Sequence, residues 1–271
     1  MMTDIEQLSN KQNTLCCEKE EEAHFSFTFN IEILRVYGYL YFVTLFMIAI
    51  IITATEVNFP GGSPQYTEMY KMFGFSHLCM AISFNPAKQV GAVLLPGFIV
   101  PTTLFVALSY FHTKKDYDCG RIPRWLWRFT QATTPFNMVA ILQFGMVFVN
   151  GPEQDYGFVA HYVPYLLLQT SFGFLAIQQI LNGINTGTIP FEAPAWFAKL
   201  YTVTLITVVV TYEVYIISTI AGGNIFEKSN PALLLFSKIL VNLYSVLVIG
   251  MPTIFALQEQ SKDSDTMIKL Y

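Results

Sequence analysis

The first long apolar stretch of the chain, residues 33–55, reads ILRVYGYLYFVTLFMIAIIITAT and contains one charged side chain, Arg35. A helix rises about 1.5 Å per residue, so this length crosses the roughly 30 Å hydrocarbon core of a bilayer. Five stretches of similar length and composition follow, at residues 90–111, 127–149, 158–181, 197–221 and 232–257. The pattern predicts an all-α protein, a polytopic membrane bundle of six transmembrane helices.

Charged residues are scarce and are concentrated outside these six stretches. Asp, Glu, Lys and Arg make up 13% of the 271 residues, against about 25% in an ordinary soluble domain. Only five of the 34 charged residues lie within the six stretches. The composition therefore excludes a soluble enzyme, and the lack of an extended basic surface argues against nucleic-acid binding.

The distribution of Lys and Arg predicts the orientation of the bundle, because cytoplasmic loops are enriched in both. With the N-terminus in the cytoplasm, eleven of these cations fall on the cytoplasmic side and three on the outer side. We therefore expect an acidic cytoplasmic tail at residues 1–30, a six-span domain at 31–257 and a cytoplasmic C-terminal tail at 258–271. Cys16 and Cys17 in the first tail are either acylated or unmodified, and the sequence leaves both possibilities open.

A further apolar stretch, residues 70–84, lies in the first outer loop. It is too short to cross a membrane comfortably, so we expect a short interfacial or re-entrant segment. A seven-span arrangement with an external N-terminus satisfies the same charge rule and invites comparison with retinal proteins through Lys238. That comparison fails because the third and last spans of the arrangement contain no carboxylate to serve as a counter-ion.

Three ionisable residues on three different spans share one depth in the outer third of the membrane. Counting residues places Glu213 about 12 Å and Lys238 about 9 Å from the outer boundary, with His161 near the same surface. A lone charge there costs at least about 2.5–3.5 kcal/mol, so we expect Glu213 and Lys238 to pair. With Asn242 one turn deeper, the group forms either a neutralising ion pair or a polar outer-half cavity for a lipid headgroup or an ion.

The fourth span also carries polar amide side chains towards its cytoplasmic half. Interhelical hydrogen bonds, worth about 0.6 kcal/mol each, explain them without a functional role. These amides belong to Gln169, Gln178, Gln179 and Asn182.

The loop between the second and third spans carries five cations within 15 residues. Cations near an anionic leaflet contribute about 1 kcal/mol each, and Trp125 and Trp127 are placed where aromatic belts form. The loop either binds anionic lipid at the cytoplasmic face or serves only as an ordinary topological signal. The five cations are Lys114, Lys115, Arg121, Arg124 and Arg128.

Motifs of soluble catalysis are missing from the sequence. There is no glycine-rich phosphate loop, no paired cysteine motif and no nucleophile motif. The four histidines do not lie at positions within the spans where they could serve as the axial ligands of two haems. We therefore expect no enzyme activity, no cofactor and no metal.

The order of these features resembles the Frag/DRAM/Sfk group of six-span membrane proteins. The first outer loop has an apolar stretch ending in Ile82 and Ser83, followed by Asn85 and Pro86. The fourth span is introduced by Glu153-Gln154-Asp155 and His161 and closes with Gln179. The chain departs from the pattern in lacking paired outer-loop cysteines and in its long acidic tail.

This resemblance implies a lipid-handling or membrane-organising protein of the plasma membrane or the endolysosomal membranes. We expect a lipid-interacting regulator or adaptor whose partners are membrane lipids, including anionic lipid at the cytoplasmic face. Two alternatives remain open. The chain is an accessory subunit of a larger channel or transporter assembly, or it is a transporter that uses the polar outer-half cavity.

Overall fold

The structure is a computed structural model that describes residues 25–28, 31–56, 58–151, 157–187, 194–220, 230–260 and 267–270. Within these residues the chain forms nine α-helices and two short strands. The helices are α1 (Ile31–Glu56), α2 (Glu68–Phe73), α3 (Ala87–Asp118), α4 (Arg124–Gln143), α5 (Met146–Val149), α6 (Gly157–Thr186), α7 (Ala195–Ile220), α8 (Pro231–Ser245) and α9 (Met251–Gln260). The strands are β1 (Phe25–Thr28) and β2 (Met267–Leu270).

Five segments of the described chain are helices long and apolar enough to cross a membrane. Two of them join neighbouring helices, since α5 continues α4 and a π-helical turn at Val246–Gly250 joins α8 to α9. The five segments are Ile31–Glu56, Ala87–Asp118, Arg124–Val149, Trp196–Ser218 and Pro231–Phe255. The protein is therefore a helical bundle of the multi-pass membrane type.

The helix at the predicted fourth span, α6, is 30 residues long but is not one of these five. It contacts α4, α5, α7 and the π-helical turn, and Phe172 on it packs against the rings of Tyr39 and Phe42 on α1. Three of its polar side chains, those of His161, Gln169 and Gln178, are 0–5% exposed. The helix has a less apolar composition because it lies at the centre of the bundle, where neighbouring helices replace lipid.

The core at the middle of the bundle is aromatic. Phe42 on α1 lies 4.9 Å from Phe98 on α3 and 6.0 Å from Phe144, measured between ring centroids. All three rings are nearly inaccessible, and they meet in tilted rather than stacked arrangements. Aromatic rings of this kind contribute beyond the area they bury, so the core helps to fix the relative positions of α1, α3 and the end of α4.

Helices α1 and α3 approach each other closely through glycine. A Cβ atom on Gly38 would collide with Oγ1 of Thr102, and one on Gly97 would collide with the ring of Tyr41. Small residues at such contacts let two membrane helices pack backbone to backbone. The two contacts also show that α1 and α3 run antiparallel.

The apolar stretch at residues 70–84 forms no spanning helix. It folds into the end of α2 and a 3-10 helix at Leu78–Ile82, whose side chains are mostly buried. Thr53 at the end of α1 donates a hydrogen bond to the carbonyl of Ala81 at 2.8 Å. The stretch thus packs onto the end of the bundle, and the seven-span arrangement has no helix here to support it.

His77 is enclosed within this packed loop. Its ring stacks on Phe73 at 4.7 Å between centroids and meets the edge of Tyr165 on α6 at 5.6 Å. Its Nδ1 atom accepts a hydrogen bond from the backbone N–H of Cys79 at 3.4 Å. Burial lowers the pKa of His77 to about 4, so the ring is neutral at physiological pH.

Strands β1 and β2 pair antiparallel, with Phe25 opposite Leu270 and Thr28 opposite Met267. The pairing brings segments near the two ends of the chain to the same end of the bundle. We call this the inner end, following the predicted orientation, and the opposite end the outer end. Cys16 and Cys17 and the motif at 153–155 lie outside the described residues.

Candidate functional site

The structure separates the members of the predicted outer-half cluster. Glu213 on α7 accepts hydrogen bonds from Oγ1 of Thr170 on α6, at 2.9 Å to Oε1 and 3.0 Å to Oε2. Lys238 on α8 is exposed, and no ion pair joins it to Glu213, although the structure describes both residues. The predicted Glu213–Lys238 pair is therefore not formed.

Beside Glu213, the contact between α7 and α8 is made by tyrosines. The rings of Tyr212 and Tyr244 stack with centroids 4.0 Å apart. Both hydroxyls donate to Gln169 on α6, Tyr212 to the side-chain oxygen and Tyr244 to the backbone carbonyl. This stacking sets the register of α7 and α8, and in that register Lys238 lies more than one helical turn nearer the outer end than Glu213.

His161 and Asn242 likewise have partners outside the predicted cluster. The Nε2 atom of His161 is 2.9 Å from Oγ of Ser83, and its Nδ1 atom is 3.0 Å from the carbonyl of Asn150. Asn242 is exposed and donates to the carbonyl of Lys238 on its own helix at 2.7 Å. His161 thus joins two outer loops to α6, and neither His161 nor Asn242 is hydrogen-bonded to Glu213.

A polar cavity of about 140 Å³ lies at the inner end of the bundle instead. We call it the inner cavity. It is formed where α1 begins and where α3 and α6 approach their ends, and it is completed by Tyr201 of α7 and by Pro252 and Phe255 in the first half of α9. Its polar lining includes Glu32, Arg35, Asp116 and Gln178, and its apolar wall includes Phe105. Neither the cavity nor this set of residues was recognised in the sequence.

Arg35 is the most deeply buried cation of the inner cavity, at 5% exposed. Its guanidinium forms an ion pair with Glu32 one turn earlier on α1. Its Nη1 atom also donates to Oε1 of Gln179 on α6 at 3.1 Å. A buried charge is tolerated when it is paired and hydrogen-bonded, so this arrangement neutralises Arg35 and joins α1 to α6.

Asp116 connects the inner cavity to the cation-rich segment 114–128, which we call the basic loop and which comprises the end of α3, a short turn and the start of α4. The side chain is nearly inaccessible, and its Oδ1 atom accepts a hydrogen bond from Nη1 of Arg121 at 3.3 Å. Its Oδ2 atom lies 3.5 Å from Nε2 of His112, an exposed residue that also lines the cavity. The second carboxylate of the cavity therefore also has a cationic partner within the chain.

Three residues of α6 with amide side chains line the cavity, namely Gln178, Gln179 and Asn182. Oε1 of Gln178 and Oδ1 of Asn182 are buried and have no hydrogen-bond partner among the described residues. Gln178 is 4% exposed. Asn182 uses its other amide atom to donate to Oγ1 of Thr113 at 3.0 Å. Buried polar atoms without partners are uncommon in native proteins and require an explanation.

Part of the cavity wall is formed by the distorted helical segment in which a π-helical turn joins α8 to α9. In a π-helical turn the carbonyl of Leu247 would accept from the N–H of residue 252, but that residue is proline and has no N–H. The hydroxyl of Tyr201 on α7 donates to this carbonyl at 2.8 Å. The cavity is lined here by Tyr201, Pro252 and Phe255. The distorted turn and the hydrogen bond that it accepts from Tyr201 therefore determine the shape of this part of the wall.

The basic loop lies beside the inner cavity, and all five of its cations are exposed. Trp125 is 56% exposed, as the prediction of an interfacial aromatic requires. Trp127 is 8% exposed and stacks on Tyr117 with centroids 5.8 Å apart, so it belongs to a small core beneath the loop. The expectation that both tryptophans face the membrane interface is wrong for Trp127.

The sequence contained a signal for the inner cavity. Glu32, Arg35, His112, Asp116 and Gln178 all lie within the last turns at one predicted membrane face. Near the inner boundary, Lys and Arg also occur as ordinary topological signals, so position along the sequence does not distinguish the two roles. Arg35 fits the topological pattern, and only its burial distinguishes it from an ordinary loop cation.

The helical bundle defines a multi-pass membrane protein. Comparison with models of protein families, with curated proteins and with solved structures found no match. Among the described residues no group of three or more His, Cys, Asp or Glu side chains is arranged to hold a metal ion. The site must therefore be interpreted from its own chemistry.

Proposed function

We propose that this is a six-span membrane protein with cytoplasmic termini that binds anionic lipid through its basic loop. The single observation that carries this proposal is the exposure of all five cations of the loop at one end of the bundle. In this role the protein is a lipid-interacting regulator or adaptor of the plasma membrane or the endolysosomal membranes, as the Frag/DRAM/Sfk resemblance implies. It has no enzyme activity of its own.

Two features support six spans. The length of α6 matches the five apolar segments, and its polar residues His161, Gln169 and Gln178 are buried among neighbouring helices. The pairing of β1 with β2 supports an even number of crossings, because paired strands lie on one side of the membrane. The Lys and Arg distribution then favours the cytoplasm for that side.

The electrostatic contribution of the loop follows from its contacts. Arg121 is partly engaged by Asp116, which leaves four cations fully available to lipid. At about 1 kcal/mol each, these give roughly 4 kcal/mol near an anionic leaflet. Trp125 adds an aromatic anchor beside Arg124 at the start of α4.

The test uses Lys114→Gln combined with Lys115→Gln. We expect short-chain phosphatidylserine or phosphatidylinositol phosphate to bind the detergent-purified double variant about 30-fold more weakly, which corresponds to about 2 kcal/mol. Lys71→Gln, an exposed lysine of the first outer loop, is the matched control and should bind as the native protein does. Unchanged binding in the double variant would overturn the lipid-binding role.

Topology is tested separately with introduced cysteines. A cysteine at the exposed position 118 should resist an impermeant thiol reagent applied to intact cells and react after permeabilisation. External labelling at position 118 would contradict the proposed orientation. External labelling at position 10 alone would contradict an even number of spans.

The second candidate function is that of an accessory subunit in a larger membrane assembly. Lys238 and Asn242 are exposed one turn apart on α8, on a face otherwise formed by Leu235, Ile239 and Leu243. An unpaired lysine on an apolar face at membrane depth is costly unless it reaches the headgroups or a partner helix. Under this hypothesis, native mass measurement should give a defined complex that Lys238→Leu dissociates.

A further inference from the structure

We propose that the acidic segment at residues 18–22 of the N-terminal tail docks on the basic loop and competes there with anionic lipid. The inference rests on the proposed lipid binding, because it states how that binding is regulated. Three features of the chain support it: the charges of the two segments, the place where the described chain begins, and the length of chain between the segments. The acidic segment itself lies outside the described residues.

The two segments carry equal and opposite charge. Residues 18–22 read EKEEE and have a net charge of −3. Residues 114–128 contain five cations and two aspartates, which gives a net charge of +3. Opposite charges of this size draw two segments together and favour their contact, most strongly at low ionic strength.

Most of the positive charge of the basic loop is not used within the described chain. Arg121 pairs with Asp116, but the other four cations are exposed and form no ion pair among the described residues. Arg124 and Arg128 lie one turn apart on α4, and like charges at this spacing destabilise a helix. Acidic side chains beside them relieve this repulsion. The four available cations are Lys114, Lys115, Arg124 and Arg128.

The tail joins the bundle next to the basic loop. Ile31 at the start of α1 and Asp116 near the end of α3 line the same cavity, and the two helices are in direct contact. Glu22 precedes Ile31 by nine residues, which span up to about 30 Å when extended. A helix with its side chains is only about 10 Å wide. The acidic segment therefore reaches the basic loop without any change in the bundle.

Docking of the acidic segment and binding of lipid exclude each other, because both use the same four cations. The segment belongs to the same chain as the loop, and a short linker gives an effective concentration in the millimolar range. Exposed ion pairs are individually weak, so a leaflet that presents many anionic headgroups displaces the segment. The tail thus keeps the loop covered at membranes of low anionic content and releases it at membranes of high anionic content.

The first test compares the native chain with the triple variant Glu20→Gln, Glu21→Gln and Glu22→Gln. Short-chain phosphatidylserine should bind the detergent-purified triple variant about tenfold more tightly, which corresponds to about 1.4 kcal/mol. The matched control removes three carboxylates from the C-terminal tail and should bind within about twofold of the native protein. Unchanged binding in the triple variant, or equal tightening in the control, would overturn the proposal. The control variant combines Glu259→Gln, Asp263→Asn and Asp265→Asn.

The second test detects the contact without lipid. A water-soluble carbodiimide joins carboxylates to amines that lie in contact, and peptide mass spectrometry should find residues 20–22 joined to Lys114 or Lys115 in the native protein at low salt. The yield should fall by about tenfold or more in 1 M NaCl, where charges are screened beyond about 3 Å. Absence of this cross-link, or an undiminished yield at high salt, would overturn docking through charge.

Together the two tests distinguish failure of the regulation from failure of the lipid site. Weaker lipid binding by Lys114→Gln with Lys115→Gln, combined with absence of the cross-link, would leave the lipid site intact and overturn its regulation by the tail. A cross-link in the native protein, combined with unchanged lipid binding in that double variant, would overturn the lipid site and with it the competition.

Discussion

Replacing Thr170 by Val should destabilise the protein, and the loss should depend on Glu213. The single hydroxyl hydrogen of Thr170 is shared between the two carboxylate oxygens, at 2.9 and 3.0 Å, so the pair counts as one hydrogen bond. Hydrogen bonds to charged groups contribute about 1.5–3 kcal/mol, whereas interhelical bonds in membranes average about 0.6 and reach about 1.7. We therefore expect a coupling energy of about 1.5 kcal/mol.

A double-mutant cycle isolates this energy from the effect of each change alone. The four proteins are the native chain, Thr170→Val, Glu213→Met and the double variant, because neither methionine nor valine can restore the bond. Their free energies of unfolding are measured by titrating denaturing detergent into mixed micelles at pH 7. The double variant should be less destabilised than the sum of the single variants by the coupling energy.

The same cycle with Lys238→Met in place of Thr170→Val provides the comparison. Lys238 is exposed and forms no ion pair with Glu213, so the coupling should stay within about 0.5 kcal/mol of zero. A coupling above 1 kcal/mol with Lys238, together with one below 0.5 kcal/mol with Thr170, would refute the structural assignment. It would restore the pairing inferred from membrane depth alone.

Three further predictions concern single sites, each tested by unfolding. Gly38→Ala should lower the free energy of unfolding by about 1–3 kcal/mol, because the added methyl group meets the facing helix. The control is Gly250→Ala, which has open space around it and should be neutral or stabilising by up to about 1 kcal/mol. The pKa of His77 is about 4 in the fold and about 6.5 when unfolded, so its contribution to stability is complete above pH 6.5 and decreases as the pH falls towards 4. Between pH 8 and pH 5 the free energy of unfolding of the native protein should fall by about 2 kcal/mol more than that of His77→Asn. Asparagine keeps an acceptor for the local N–H and cannot titrate. Equal losses in the two proteins would show that His77 is accessible to protons. Tyr201→Phe removes the donor to the carbonyl of Leu247 and should cost about 1 kcal/mol in the same unfolding assay; no loss would mean that water replaces the hydroxyl.

Much of the architecture was predictable because the bilayer imposes one simple rule on sequence. A span needs about 20 apolar residues, and this requirement is visible without any knowledge of neighbours. The five apolar segments of the structure overlap stretches predicted from composition, including 33–55 and 232–257. The short helices at 68–73 and 78–82 also agree with the expectation that the extra apolar segment is too short to span.

The partners of polar residues were less predictable, because depth along a helix says nothing about the direction of a side chain around it. Counting residues predicts similar depths for Glu213 and Lys238, yet one meets Thr170 and the other is exposed. A rotation of 100° per residue separates neighbouring positions, so only the packed bundle decides which faces meet. Tyr212 and Tyr244 occupy the interface that the charges were expected to share.

The sequence by itself determined the class of protein, the approximate bounds of its membrane segments and the concentration of cations in the basic loop. Those properties depend on the composition of continuous stretches, which the bilayer and the water on either side select independently of tertiary contacts. Only the tertiary structure decided that Arg35, Asp116 and Gln178 surround one cavity. Their side chains come from three helices that are distant in sequence, and their proximity exists only once α1, α3 and α6 have packed together.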